Sequence, residues 1–131
     1  MTEHPNVAIL KRAYEAFAKA DIATLSELIA EDAIWHVTGH HQFSGDYKGR
    51  DQILAFFGTL AEDTGGTLSL EVHDILANDA HAVTLVQEKA LRKGRSLDAK
   101  EVQVFHVDEQ GRAKEFWEFP EDQKTYDAFW S

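Results

Sequence analysis

The chain has 131 residues, 44% of them hydrophobic and 11% aromatic, a composition that fits one folded domain (residues 1–131) with a real core and not a disordered segment. It has no Cys, so disulfides, zinc–thiolate sites and cysteine nucleophiles are excluded. A net charge of −10 argues against nucleic acid and anionic membrane surfaces as partners, because both recruit Lys and Arg. No apolar run approaches the ~18 residues of a membrane span, and Met1–Pro5 lacks the basic and apolar regions of a secretory leader. The expected setting is cytoplasmic.

In chain order, Asn6 to Ala20 predicts a helix. Val7, Leu10, Ala13, Tyr14, Phe17 and Ala18 repeat at three- and four-residue spacing, and Pro5 suits the first turn. Asp21 reads as the N-cap of a second helix, Ile22 to Ala30. A short strand, Ala33 to Val37, comes next. Thr38 to Lys48 reads as a loop whose Phe43 and Tyr47 make it a rim or lid. Arg50 to Glu62 predicts a third helix with Ile53, Phe56, Phe57 and Leu60 inward, ended by Gly65-Gly66.

Four strands follow in a meander: Thr67–Ala77, His81–Leu91, Leu97–Val107 and Arg112–Phe119. Turns are expected at Asn78-Asp79, Lys93-Gly94 and Asp108–Gly111. With these turns Ala77 opposes Ala80, Leu91 opposes Ser96 and Val107 opposes Arg112. Two rows then cross the sheet, Glu71–Val86–Glu101–Glu118 and His73–Thr84–Gln103–Phe116, with Ser69, Glu88 and Ala99 alongside. The opposite face carries Val72, Leu85, Val102 and Trp117. A one-residue slip would turn a strand over. Glu121 to Ser131 reads as a short helical tail in which Tyr126, Phe129 and Trp130 dock on the body.

The acidic row holds the candidate chemistry. Opposed glutamates destabilise a sheet unless compensated. In a closed pocket, burial and repulsion would raise a carboxyl into the range useful for acid–base work near neutral pH. Glu101 and Glu118 lead, and Glu88 could share the role. Gln103 can orient a carbonyl oxygen, and His73 ranks below the glutamates. Trp35 is expected to be a pocket wall, with His36 or His40 at its mouth. His41 reads as a plain loop residue. No metal signature accompanies the His-His pair, so neither metal nor cofactor is expected. Tyr14, Phe17, Phe56, Phe105 and Phe116 are core residues of which some line a cavity.

Three segments carry a family resemblance: Ala20-Asp-Ile-Ala-Thr-Leu with Glu31-Asp-Ala-Ile-Trp35; Gly45-Asp-Tyr-Lys-Gly-Arg-Asp51 leading into Phe56-Phe57; and Phe105-His-Val-Asp-Glu-Gln-Gly-Arg-Ala-Lys-Glu-Phe-Trp117 with Pro120-Glu-Asp-Gln123. Through them the chain resembles the SnoaL-like branch of the NTF2-like superfamily, with its ketosteroid isomerase and polyketide cyclase relatives. The resemblance implies an α+β conical barrel: three N-terminal helices packed on a curved antiparallel sheet, with an apolar pocket between them and a homodimer on the outer face. The positions matching the ketosteroid isomerase triad are Ala13, Val37 and Gln103, so that activity is not expected. Polyketide cyclases of the family place an acid/base near the end of the last strand, where Glu118 and Asp122 lie. The Asp-Arg-Asp relay of the fold's epoxide hydrolases has no counterpart. Two functions stay open. One is a cofactor-free isomerase, cyclase or dehydratase acting on a small apolar carbonyl compound. The other is a non-catalytic small-ligand binder or structural homodimer.

Overall fold

The computed structural model describes residues 3–131; Met1 and Thr2, the start of the segment read as lacking a leader, lie outside the described residues. Ten elements follow one another: α1 (Pro5–Ala18), α2 (Ile22–Leu28), β1 (Ile29–Val37), β2 (Gly45–Lys48), α3 (Arg50–Asp63), β3 (Ser69–Ala77), β4 (His81–Arg92), β5 (Arg95–Val107), β6 (Ala113–Pro120) and α4 (Gln123–Trp130). The strands form one sheet in the order β2-β1-β6-β5-β4-β3. It is a mixed sheet, because β1 runs parallel to β6 while the other neighbours are antiparallel. The expected α+β fold with helices packed on one face of the sheet is borne out; in detail the sheet is open at β2 and β3 and mixed, where an antiparallel barrel was expected.

Capping fixes the helices. His4 Nδ1 accepts from the Asn6 amide at 3.1 Å and Pro5 opens α1. Asp21 caps α2 through the Thr24 amide at 3.1 Å. That helix stops at Leu28, two residues before the expected Ala30, because Ile29, Ala30 and Ala33 are needed as buried strand positions. Gly45–Lys48, expected as loop, pairs with β1 (Trp35 opposite Tyr47).

The β4–β5 turn has the expected register, with Leu91 opposite Ser96. Lys93 and Gly94 both sit at positive φ (50° and 76°), the conformation a two-residue hairpin turn of this hand demands. The other two turns differ. At the β5–β6 corner Asp108 accepts the Gln110 and Arg112 amides and Gly111 lies at φ 77°. A register shift between His106 and Val107 then moves β6 by two residues. Gln103 therefore opposes Glu118, and Glu101 opposes Pro120, not Glu118 as expected. A two-residue slip keeps every side chain on its face. At the β3–β4 corner the Asn78 side chain accepts from the Ala80 and His81 amides, lengthening the turn so that Ala77 opposes Ala82. A bulge at His73 shifts the register once more. Val72 now opposes Val86 and joins the core, while Glu71 and His73 are exposed. The expected rows therefore end at β4.

The main core lies between the helices and the inner sheet face, around Leu10, Leu25, Trp35, Ile53, Phe105 and Phe116. A second cluster, Ala90, Leu97, Tyr126, Phe129 and Trp130, seats α4. Buried Arg92 fastens that helix: its Nη1 donates to the Phe129 and Ser131 carbonyls at 3.0 and 2.8 Å, and its Nε pairs with Asp63. No helix among the described residues is long and apolar enough to cross a membrane.

Candidate active site

A cavity opens between the helices and the inner sheet face. Its walls are apolar and largely aromatic, including Tyr14, Phe17, Trp35, Phe56, Phe105 and Phe116. Trp35 stacks on Phe116 with centroids 4.5 Å apart, and Phe105 meets Phe116 edge-on at 5.1 Å. Into this lining the sheet sets Gln103, Glu88 and Glu118.

The three glutamates come together along a diagonal. Glu118 on β6 opposes Gln103, two residues from Glu101 on β5; Glu101 is in turn two residues from Ala99, the partner of Glu88 on β4. Diagonal neighbours on one face lie within reach of long side chains. The three carboxyls present oxygens all within 4.8 Å of one another, and the residues are only 3–8% exposed. Tyr126 on α4 donates its hydroxyl to Glu88 Oε1 at 2.8 Å and lies 3.4 Å from Glu118 Oε1. Gln103 Nε2 donates to Glu101 Oε1 at 3.2 Å, and Glu101 Oε2 has no partner among the described residues.

Burial dominates the electrostatics. It pushes Glu118 up to about 8, helped by the charge of Glu88. It pushes Glu101 up to about 7, helped by Glu118. Glu88 is raised well above the usual carboxylate range, again by burial first and then by Glu101. With only phenol and amide donors around them, three adjacent carboxylates repel, and the cluster holds protons to higher pH than free carboxyls do. Three carboxylates are also a donor set for a hard divalent cation, which would have to displace those protons.

Tyr14 completes the wall. Its hydroxyl bonds Gln103 Oε1 and lies 2.6 Å from Thr84 Oγ1. The residue sits one place from the matched isomerase position Ala13, yet both line the cavity. Burial raises the phenol above its ordinary range.

Four expected site residues lie elsewhere. His36 is on the outer sheet face, stacked on Trp117 at 4.9 Å, with its two ring nitrogens 2.7 Å from Asp46 and Glu115. Burial pulls its pKa down, but those two carboxylates outweigh that and hold it up. His40 is exposed and meets Asp127 through its backbone amide. His73 is exposed at the bulge. Asp122 caps α4 by accepting from the Thr125 hydroxyl and amide, which hold its carboxyl low and away from acid–base duty. A fifth candidate, Glu101, belongs to the carboxyl cluster but is not part of the cavity lining.

Three lining residues were read as something else. Tyr126 and Trp130, expected as tail anchors, line the cavity, as does His41, expected as an idle loop residue. The four-residue spacing of Tyr126 and Trp130 on a tail helix was a usable signal, since it puts both on one face. Nothing in the loop sequence distinguished His41 from His40.

The model of the SnoaL-like domain family matches residues 10–116. The chain belongs to the SnoaL-like family, whose members share the NTF2-like fold seen here. It is similar to Bal32a from a soil-derived mobile gene cassette: 35% identity, 96% of each chain covered, TM-score 0.92. It is 30% identical to an uncharacterised protein of Mycobacterium tuberculosis over the full length of both chains. An NTF2-like protein of Burkholderia pseudomallei shares the fold at 22% identity and a TM-score of 0.83, covering 96% of this chain and 97% of its own.

Proposed function

We propose that the chain binds a small apolar carbonyl compound in the cavity and moves a proton on it without a cofactor, as an isomerase, cyclase or dehydratase. One observation carries this reading: three buried carboxyls cluster together, and two of them, Glu88 and Glu118, line a largely apolar cavity. A group near 8, such as Glu118, is populated in both protonation states around neutrality, so it can take a proton and return it. As carboxylate it removes the proton next to the carbonyl. The C–H pair becomes the new C=C bond and the carbonyl π pair moves to oxygen. Return of the proton at another carbon isomerises the compound. Attack by the enolate carbon on a second carbonyl closes a ring. Departure of a β-hydroxyl, protonated by Glu88, releases water. Glu101, held out of the cavity, acts on Glu118 through a hydrogen bond and is a positioning residue.

The test is deuterium uptake from D2O at the methyl group of acetophenone and the ring α-carbon of cyclohexanone, followed by NMR. Uptake faster than in buffer alone supports proton transfer. Buffer rates with both ketones would sink it, and the cavity would then stand as the binding site of a non-catalytic dimer.

Self-association is the second element. The outer sheet face presents Leu76, Val102 and Phe119 exposed at 58, 37 and 48%, with Val83, Val104 and Trp117 beside them. A second copy burying this face suits a contiguous apolar patch. The chain is expected to elute at twice its 14.8 kDa in sizing experiments, and Val102→Glu/Phe119→Glu at the monomer mass. A wild-type monomer at micromolar concentration would overturn this.

A further inference from the structure

Proton transfer beside a carbonyl also needs a donor for the oxygen. Gln103, the sequence candidate, is engaged within the wall: its Oε1 accepts from Tyr14 and its Nε2 donates to Glu101. Two other N–H groups are free. His41 Nδ1 accepts from the Phe43 amide at 3.1 Å, which places the ring proton on Nε2. Burial keeps this imidazole neutral, an effect that Asp127 opposes and the charge of Arg92 reinforces. His41 Nε2 and Trp130 Nε1 are both buried without a hydrogen-bond partner among the described residues, and Trp130 is 1% exposed. Both side chains line the cavity, with ring centroids 6.4 Å apart. An unpaired buried donor is unfavourable, and native proteins rarely keep one without a reason.

The position of these donors matters as much as their number. The Tyr126 ring lies 5.9 Å from His41 and 6.2 Å from Trp130, and its hydroxyl is on Glu88 and Glu118. The orphan N–H groups and the carboxyls thus lie on either side of one tyrosine ring. Both groups only donate, so the complementary ligand atom is an acceptor that brings no proton. A ketone or quinone oxygen qualifies, whereas an ammonium does not.

We propose that His41 and Trp130 form the oxygen-binding end of the cavity, and that the ligand is an apolar aryl or ring ketone whose oxygen they hold while its α-carbon faces Glu118. This rests on the reading of the cavity as a carbonyl site. When the α-proton leaves, negative charge develops on the oxygen those N–H groups hold, so they stabilise the enolate more than the ketone.

Two isosteric probes test it on the full chain: acetophenone, and α-methylstyrene, in which CH2 replaces the oxygen. In 15N-labelled protein the Trp130 indole N–H resonance, assigned with Trp130→Phe, is expected to move downfield with acetophenone and not with the alkene. Trp130→Phe keeps an aromatic ring against Phe129, and His41→Phe keeps an aromatic ring in the loop while giving up the bond to the Phe43 amide. Each is expected to bind acetophenone about five-fold more weakly, the loss of one neutral hydrogen bond, with the alkene unchanged. Acetophenone bound while the indole resonance stays still and both variants keep the wild-type preference would overturn this inference and leave the proposed function standing. Neither probe bound at millimolar concentration would remove the cavity reading and this inference with it.

Discussion

At pH 8.5 the Glu101→Gln/Glu118→Gln variant resists urea better than the parent chain, and at pH 4.5 the two unfold together: that is the expected result of replacing a proton-sharing cluster by neutral amides. Both carboxyls are raised in the folded state, to about 7 and about 8 from an ordinary 4.5. Below the ordinary value, folded and unfolded chains both hold the protons and the cluster carries no charge. As pH rises through 4.5 the unfolded chain releases its protons first, while the folded chain keeps them up to about 7 and 8. The native state then binds more protons than the unfolded one, so stability falls with rising pH across that window and levels off above it. At about 1.4 kcal/mol per pKa unit, a single group loses on the order of 3–5 kcal/mol over the window. That is a large part of the 5–15 kcal/mol typical of a folded domain. Gln has the shape of a protonated Glu and no charge to lose, so the variant's pH profile is expected to be flat by comparison. Parallel profiles would mean that these side chains are solvated and that the acid–base reading has no basis.

Glu118→Gln is expected to reduce enzyme-catalysed deuterium uptake into the probe ketone by roughly 10²–10⁴-fold, the usual contribution of a positioned proton-transfer group. Binding of the same ketone changes little, because the apolar walls and the N–H groups at the far end are untouched. The loss therefore falls on kcat, with KM close to wild type. Glu101→Gln behaves differently. It removes the carboxyl whose hydrogen bond lowers Glu118, so the rate persists while its pH profile moves to higher pH. A Glu118→Gln chain that exchanges as fast as wild type would exclude this side chain as the base and turn attention to Glu88.

Much of this arrangement was legible because strand faces obey a period of two. Glu101, Gln103, Phe105, Phe116 and Glu118 share the inner face whether β6 is read at its expected register or slipped by two residues. The lining was therefore visible while the pairing was not. The β3 strand lacked that protection. An Asx-type turn at Asn78 added residues to the corner, and the bulge at His73 changed the register again, so Glu71 and His73 went to the solvent side and Val72 to the core. Such features depend on a side chain bonding its own backbone, which hydrophobic periodicity does not register. His36 and His41 were exchanged for a related reason. In β1, His36 alternates with the inward Trp35 and so faces out, where Asp46 and Glu115 hold it. His41 lies in a segment without any period, and only the packing of α4 shows that its ring faces the cavity. Asp122 was read only as an acid, and the Thr125 amide it accepts from makes it the cap of α4.

The parallel pairing of β1 with β6 has a consequence for how the molecule is made. β1 emerges early from the ribosome with buried-type residues Ile29, Ala33, Trp35 and Val37, and its only companion until late is the four-residue β2. Its long partner is among the last segments synthesised. At ordinary translation speeds the stretch from Val37 to Ala113 takes on the order of 4–15 s to produce. Throughout that interval the nascent chain displays an unzipped apolar edge, a template for association with other unfinished chains.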